Sequence, residues 1–136
     1  MTFELPKDLE ASLPSKVDNE AEWQNALWLV LPRWFPLRLH RCVTGKKKIE
    51  RGGWMRGAPP GASDLNGWLR PYGRRVELEV KYDDEPVTDE QDRWLIAAAG
   101  DGCIALVARY EPADDLITNL RRVALALSLQ AAGITS

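Results

Sequence analysis

This sequence has few of the residues that crosslink proteins or bind zinc. Its 136 residues include two cysteines, Cys42 and Cys103, and one histidine, His40. Two cysteines do not make a disulfide framework, and a structural zinc site needs four Cys or His ligands. We therefore expect a protein of a reducing compartment without structural zinc, and we assign no role to His40.

The sequence also lacks a long apolar run. No stretch is apolar for long enough to cross a bilayer, and the N-terminus is acidic, without the apolar core of a signal peptide. We therefore expect a cytoplasmic protein that contacts no membrane. A chain of 136 residues needs one domain: we expect an N-terminal arm over 1–17, with at most a short turn, and a single domain over 18–136.

Neither sign of charge is in large excess, since the net charge is −2. The distribution is uneven, because residues 38–81 contain eleven Lys or Arg and four Asp or Glu. Affinity for a phosphate backbone depends on such local charge, although solvated loops can have the same composition. The candidate nucleic-acid contacts are the basic residues of one segment: Lys46, Lys47, Lys48, Arg51 and Arg56.

Capping signals and apolar patterning predict three helices. Asn19 with Glu22, and Thr88 with Gln91, have the spacing of capping boxes, and Pro112 suits the first turn of a last helix. The helices are predicted at about 20–31, 89–99 and 112–132.

The predicted strands are 37–43, 66–70, 75–81 and 103–108. The last strand is apolar enough to be covered on both faces, and residues 46–61 are predicted to form a long loop. This order predicts an α/β fold with a mixed β-sheet flanked by α-helices.

One constellation of residues indicates chemistry. A Gly/Pro-rich turn delivers Asp64 to the start of a strand, and a later strand presents Glu79 and Lys81 on one face. The two carboxylates can bind a divalent cation, and the ammonium can orient water or stabilise charge on a phosphate. This set predicts metal-dependent phosphodiester hydrolysis. An ordinary half-exposed strand over 75–81 would show the same alternation.

Glu20 and Gln91 each have two interpretations. Glu20 falls inside the apolar stripe of the opening helix, where it either favours the helix dipole and bends to water or reaches a metal, whereas Glu22 falls outside the stripe. Gln91 is explained by its place in the capping box, and a further role is not needed.

Five motifs follow one another along the chain: Glu20-Ala-Glu-Trp-Gln24, Thr44-Gly45-Lys46, Gly57-x-x-Pro60-Gly61-x-Ser63-Asp64-Leu65, Glu79-Val80-Lys81 and Gln91. In this order they resemble the virus-type replication-repair nuclease (VRR-NUC) domain of the restriction-endonuclease-like PD-(D/E)xK superfamily. The resemblance covers about residues 18–121, and so compact a unit is typical of phage and prophage genes.

The resemblance implies a restriction-endonuclease-like fold and an endonuclease that hydrolyses DNA, including branched DNA, with magnesium or manganese (Mg²⁺ or Mn²⁺), in the host cytoplasm if the gene is a phage gene. It implies metal ligands Asp64, Glu79 and the carbonyl of Val80, a catalytic Lys81, and supporting roles for Gln91 and for Glu20, the latter near the metal. The alternative is a non-catalytic DNA-binding or assembly module that keeps the fold.

Two residues depart from the family pattern. Ser63 stands where a proline often precedes the aspartate, and Glu77 stands where an apolar residue is more usual. A turn with Ser63 can still present Asp64. Glu77 adds a negative charge near Glu79 that must be solvated or paired.

The apolar pattern of the last helix predicts that two copies of the protein associate. One apolar stripe suits packing on the sheet, and a second stripe with Leu125, Leu129 and Ala132 lies nearly opposite. The second stripe needs a cover, either the opening helix with Trp28 or the same helix of a second subunit. We expect a homodimer, whose paired active sites would suit two cuts across a DNA junction.

The opening helix provides an internal control, because Glu20 and Glu22 lie about half a turn of the helix apart. We expect Glu20→Gln to lower DNA cleavage or weaken its dependence on Mn²⁺, and Glu22→Gln to cost only a modest part of the helix stability. Cleavage rates across a Mn²⁺ titration, with thermal melts of both variants, test this. Reversed effects would show that the helical register is wrong.

Overall fold

Three helices of the described chain begin where a side chain caps a free backbone N–H group. The computed structural model describes residues 3–42, 46–49, 53–56 and 61–133, with the backbone alone for 46–49 and 53–56. Asn19 accepts a hydrogen bond from the Glu22 N–H, and Thr88 and Gln91 form a reciprocal capping box. The helices are α1 (Lys7–Ser12), α2 (Glu20–Trp34), α3 (Asp89–Gly100) and α4 (Leu116–Ala131).

The strands are β1 (Leu37–Arg41), β2 (Lys46–Ile49), β3 (Gly53–Arg56), β4 (Leu65–Leu69), β5 (Arg74–Tyr82) and β6 (Ile104–Tyr110). Four of them form a mixed sheet in the order β1-β4-β5-β6, and β2 and β3 form a separate antiparallel pair. Strand β4 pairs antiparallel with β1 and β5, and β5 pairs parallel with β6. This confirms the predicted α/β class.

Helices cover the sheet unequally. Helices α2 and α4 pack on the face that carries Val76, Leu78 and Val80, and these residues belong to the hydrophobic core. Helix α3 packs on the opposite face over β6 and β5. As its apolar sequence predicts, β6 is covered on both sides, whereas the α3 side of β1 and β4 stays more open.

Close packing of β1 against β4 depends on a glycine. A Cβ atom on Gly67 would lie 1.6 Å from the Arg38 carbonyl oxygen, so no other residue fits without moving β1. The position lies in the middle of the β1–β4 register, opposite Leu39.

Several predicted boundaries are wrong. Residues 46–49 and 53–56 form an antiparallel pair rather than a loop, and α4 begins at Leu116 rather than Pro112, because Asp115 is the side chain that caps it. Helix α2 continues through Pro32 to Trp34, since a proline in the last turn removes only one hydrogen bond.

The N-terminal segment is helical and packed, where the sequence predicted at most a short turn. Residues Lys7–Ser12 form α1. Phe3 is buried with its ring centroid 5.3 Å from that of Trp34, and Arg121 donates to the Phe3 carbonyl. The Ser15 carbonyl accepts from the Leu116 N–H. Segment 3–17 therefore contributes to the same core as the sheet.

The second apolar stripe of α4 is partly exposed. Leu125 is 54 % exposed, and Trp28 of α2 is 45 % exposed. The homodimer stays a prediction. Within the residues that the structure describes, no helix is long and apolar enough to cross a membrane.

Candidate active site

Strand β5 buries three ionisable side chains on one face. Glu77 and Glu79 are 1 % exposed and Lys81 is 3 % exposed, beneath α3 and beside β4. Burying a charge is costly unless it is paired or hydrogen-bonded. The half-exposed strand that the alternation also allowed is therefore wrong, and each of these side chains needs a partner.

Asp64 lies beside Glu79 at the entry to β4. The Val80 N–H donates to Asp64 Oδ2 at 2.9 Å, and the Asp64 carbonyl accepts from the Cys42 N–H at 2.9 Å. Burial and the neighbouring Asp64 carboxylate raise the pKa of Glu79 to about 9. Glu79 therefore holds a proton at neutral pH when no cation lies between the two carboxyl groups.

Gln91 is both a helix cap and a site residue. Its Oε1 accepts from the Thr88 N–H at 2.9 Å, while its Nε2 donates to Glu79 Oε1 at 2.8 Å. Lys81 Nζ lies 3.9 Å from the same Glu79 oxygen. The interpretation of Gln91 as a capping residue is confirmed, and the capping box fixes the amide that holds Glu79. Its supporting role in a catalytic site stays a prediction.

Glu20 lies near this cluster, which is one of the two outcomes that its place in the apolar stripe allowed. Burial and a hydrogen bond with Glu85 raise the pKa of Glu20 to about 7. Burial alone would raise the pKa of Glu85, but the hydrogen bond with Glu20 and the charge of Lys81 outweigh it and lower that pKa. At neutral pH Glu20 is the partner that more readily holds a proton, and Glu85 is ionised.

The sequence did not predict Glu85 as a residue of this cluster. It lies in the acidic turn after β5, and its Oε2 is 3.5 Å from Lys81 Nζ. The available signal was its spacing of four residues after Lys81 on the same side of the chain, which is a weak signal in a turn, where no helical periodicity applies.

The two departures from the expected family pattern contact each other. The Ser63 hydroxyl donates to Glu77 Oε2, and Arg75 Nε donates to Glu77 Oε1 at 2.5 Å. Glu77 is therefore paired, although it is buried. Because Ser63 precedes Asp64, this network also holds the backbone that presents the Asp64 carboxylate.

For some predicted site residues, the structure does not describe the group that would act in the site or gives that group no contact. Val80 contacts Asp64 through its N–H, and a role for its carbonyl stays a prediction. Arg51 lies outside the described residues, as do the side chains of the other predicted DNA contacts, which are Lys46, Lys47, Lys48 and Arg56.

The carboxyl pair fits a cation that binds few protein ligands. Among the residues that the structure describes, Glu79 Oε2 is buried without a hydrogen-bond partner. In the described part of the chain, no three Asp, Glu, His or Cys side chains are arranged to hold a metal ion. Mg²⁺ is usually bound by one or two carboxylates, with water and substrate phosphate completing its coordination. Asp64 and Glu79 match that donor set, and a zinc-type site with four protein ligands would not fit.

Comparison of the chain with protein-family models, with curated proteins and with solved structures found no match. A function must therefore be argued from the geometry.

The raised pKa of Glu79 predicts how stability depends on pH. Between the ordinary value of 4.5 and about 9, the folded protein holds a proton that the unfolded chain has lost. The free energy of unfolding should therefore fall as pH rises through this range, with Glu20 adding to the slope between 4.5 and about 7. Thermal melts in a chelator should show a falling Tm.

A cation that replaces the Glu79 proton should reverse this loss of stability, so stabilisation by Mn²⁺ should grow with pH. Glu79→Gln should flatten the pH dependence and reduce the effect of Mn²⁺, whereas the exposed Glu22→Gln should leave both unchanged. A Glu79→Gln melt with the wild-type slope and the wild-type response to Mn²⁺ would contradict the carboxyl pair.

Proposed function

We propose that this protein is a Mg²⁺- or Mn²⁺-dependent DNA endonuclease of the VRR-NUC type. One observation carries the proposal: Asp64 lies beside the buried Glu79, with Lys81 near the Glu79 carboxylate and Gln91 holding it. A buried glutamate next to a second carboxylate is destabilising at neutral pH without a cation, so its presence favours a functional role over a structural one.

Each residue has a defined part in the proposed reaction. When bound, the divalent cation would act as a Lewis acid and stabilise the negative charge that develops on the phosphate. Asp64 and Glu79 would hold it, with the Val80 carbonyl as a further oxygen ligand. The Lys81 ammonium would donate to a phosphate oxygen or orient the attacking water. Gln91 keeps the Glu79 carboxylate in one orientation. Glu20, at the edge of the cluster, would be a supporting or additional metal ligand.

The sheet offers a path for DNA beside the site. The register of β1, β4 and β5 places Arg38 opposite Trp68, and Trp68 opposite Arg75, so these side chains share the face that carries Glu79. All three are exposed, Trp68 by 42 %. Two guanidinium groups around an aromatic ring suit a phosphate backbone and a stacked base. The strands carrying Lys46, Lys47, Lys48 and Arg56 would extend this basic surface.

Branched DNA as substrate and a homodimer with paired sites belong to the same proposal. The exposed Trp68 supports the first, because a base can stack on an indole only where the duplex is open. The exposed Leu125 supports the second. The alternative function, a DNA-binding or assembly module without catalysis, would use the same surface without needing Lys81 or the carboxyl pair.

Cleavage of labelled duplex, single-stranded and branched DNA tests the catalytic proposal. Asp64→Asn, Glu79→Gln and Lys81→Met each remove charge with little change in volume, so each should lower the Mn²⁺-dependent rate at least about 100-fold without unfolding the protein. Lys16→Met is the control, because Lys16 is an exposed lysine that contacts the Pro112 carbonyl, away from the site.

The outcomes separate the two functions. Wild-type cleavage that survives any of the three substitutions would remove the active-site assignment. Metal-independent DNA binding by the wild type with no cleavage of any substrate would favour the non-catalytic module.

Substitution of Trp68 tests whether DNA binds along this face of the sheet. Loss of base stacking costs about 1–3 kcal/mol per base, so Trp68→Ala should weaken binding of single-stranded DNA by about 5- to 150-fold, with a smaller effect on blunt duplex. Trp28→Ala is a matched control, because Trp28 is similarly exposed at 45 % but belongs to α2, on the other face of the sheet. Fluorescence anisotropy with labelled DNA measures both. Equal losses in the two variants would contradict the path.

A further inference from the structure

Glu85 is the one carboxylate of the described cluster that the predicted site leaves without a role. Its Oε2 lies 3.5 Å from Lys81 Nζ, closer than Glu79 Oε1 at 3.9 Å. We propose that Glu85 is a positioning residue that holds the Lys81 ammonium toward the substrate, so that Lys81 does not collapse onto the metal-binding carboxylates. This inference rests on the proposed nuclease function.

The other acidic groups near Lys81 have partners of their own, and Glu20 shares a hydrogen bond with Glu85. Glu79 Oε1 accepts from Gln91, and Asp64 Oδ2 accepts from the Val80 N–H. In the proposed function both carboxylates also bind the cation, which leaves little of their charge to hold an ammonium. Glu85 is the remaining carboxylate within ion-pair distance of Lys81 in the described part of the chain.

Glu85 is more exposed to solvent than the lysine that it would position. The Lys81 side chain is 4 % exposed, whereas the Glu85 side chain is 40 % exposed. Glu85 is therefore the more solvent-exposed partner of the buried ammonium. An ion pair directed outward keeps the ammonium away from the two metal-binding carboxylates, whose negative charge it would otherwise neutralise.

The turn that carries Glu85 is fixed by β6. Arg109 is the register partner of Lys81, and its Nη1 donates to the carbonyls of Asp83 and Glu85 at 2.5 and 2.7 Å. The Asp83 N–H donates to the Tyr110 carbonyl at 2.8 Å. Asp83 has a φ of 57°, in the left-handed region that is costly for most residues. Three hydrogen bonds thus hold a strained turn, and the Glu85 carboxylate has a defined position.

A metal ligand and a positioning residue predict different kinetics. A ligand that is removed weakens cation binding, whereas a lost positioning residue leaves cation and DNA binding intact and slows the chemical step. We therefore expect Glu85→Gln to lower kcat about 10- to 100-fold, with KM for DNA and the apparent Mn²⁺ affinity changed by less than about twofold. Glu85→Asp, which keeps the charge, should recover part of the rate.

Asp84→Asn is the matched control. Asp84 is the neighbouring carboxylate of the same turn and is exposed, so its loss changes the net charge equally. It should retain the wild-type kcat. Arg109→Gln, which releases the turn without touching the carboxylate, should lower kcat in the same direction as Glu85→Gln. Thermal melts establish that each variant is folded.

A second measurement does not depend on cleavage. In the metal-free protein, the ¹³Cε–¹Hε signals of Lys81, assigned with Lys81→Met, should be those of an immobilised side chain, with two distinct Hε shifts. In Glu85→Gln they should move toward the values of a mobile lysine, while Asp84→Asn leaves them unchanged.

A failure of the proposed nuclease function can be distinguished from a failure of the inference about Glu85. If the wild type cleaves no DNA, the proposed function fails, and the Lys81 signals alone decide the part of Glu85; unchanged signals in Glu85→Gln would overturn the inference. If the wild type cleaves, an unchanged kcat in Glu85→Gln overturns it. A fall in Mn²⁺ affinity together with kcat would make Glu85 a ligand and would overturn it as well.

Discussion

The structure depends on how strand β5 keeps ionisable side chains out of water. Three of them, Glu77, Glu79 and Lys81, are almost fully buried on one face, a placement that is destabilising unless each finds a partner. The surroundings of the strand provide those partners: Arg75 and Ser63 for Glu77, Gln91 and Asp64 for Glu79, and Glu85 for Lys81. The turn before β4, the first turn of α3 and the turn after β5 are all held in position by these contacts.

Each contact joins a local feature of the chain to a distant one. The capping box of α3 is set by residues three apart in sequence, yet the same Gln91 amide holds Glu79 on β5. Asp64 is positioned through backbone groups of Cys42 and Val80, so its carboxylate has a fixed place before any ligand binds. Such preorganisation is what a catalytic site requires, because groups that are already oriented cost no reorganisation during the reaction.

The sequence predicted the α/β class, the mixed sheet, the capping box of α3 and the convergence of Asp64, Glu79 and Lys81. Periodicity and caps are local signals, and they predicted these features well. Asn19 caps α2 as predicted, but Glu22 accepts from the Asp18 N–H and does not complete a capping box. The places of Gln91 and Glu20 beside the site were expected only from the family resemblance. The sequence did not predict Glu85, because a turn has no periodicity from which a side-chain direction can be inferred. It also missed α1 and the β2–β3 pair, since α1 is short and apolar periodicity is weak in both segments. The partner of Glu77 required the fold, because Ser63 is fourteen residues away.

The bond between Ser63 and Glu77 has an evolutionary consequence. A substitution at either position by itself is not neutral. Glutamate at 77 without the serine hydroxyl has one fewer partner for a buried carboxylate, and serine at 63 beside an apolar residue has a buried hydroxyl without an acceptor. The two positions therefore form an epistatic pair, and in the descendants of this chain they should be inherited or lost together.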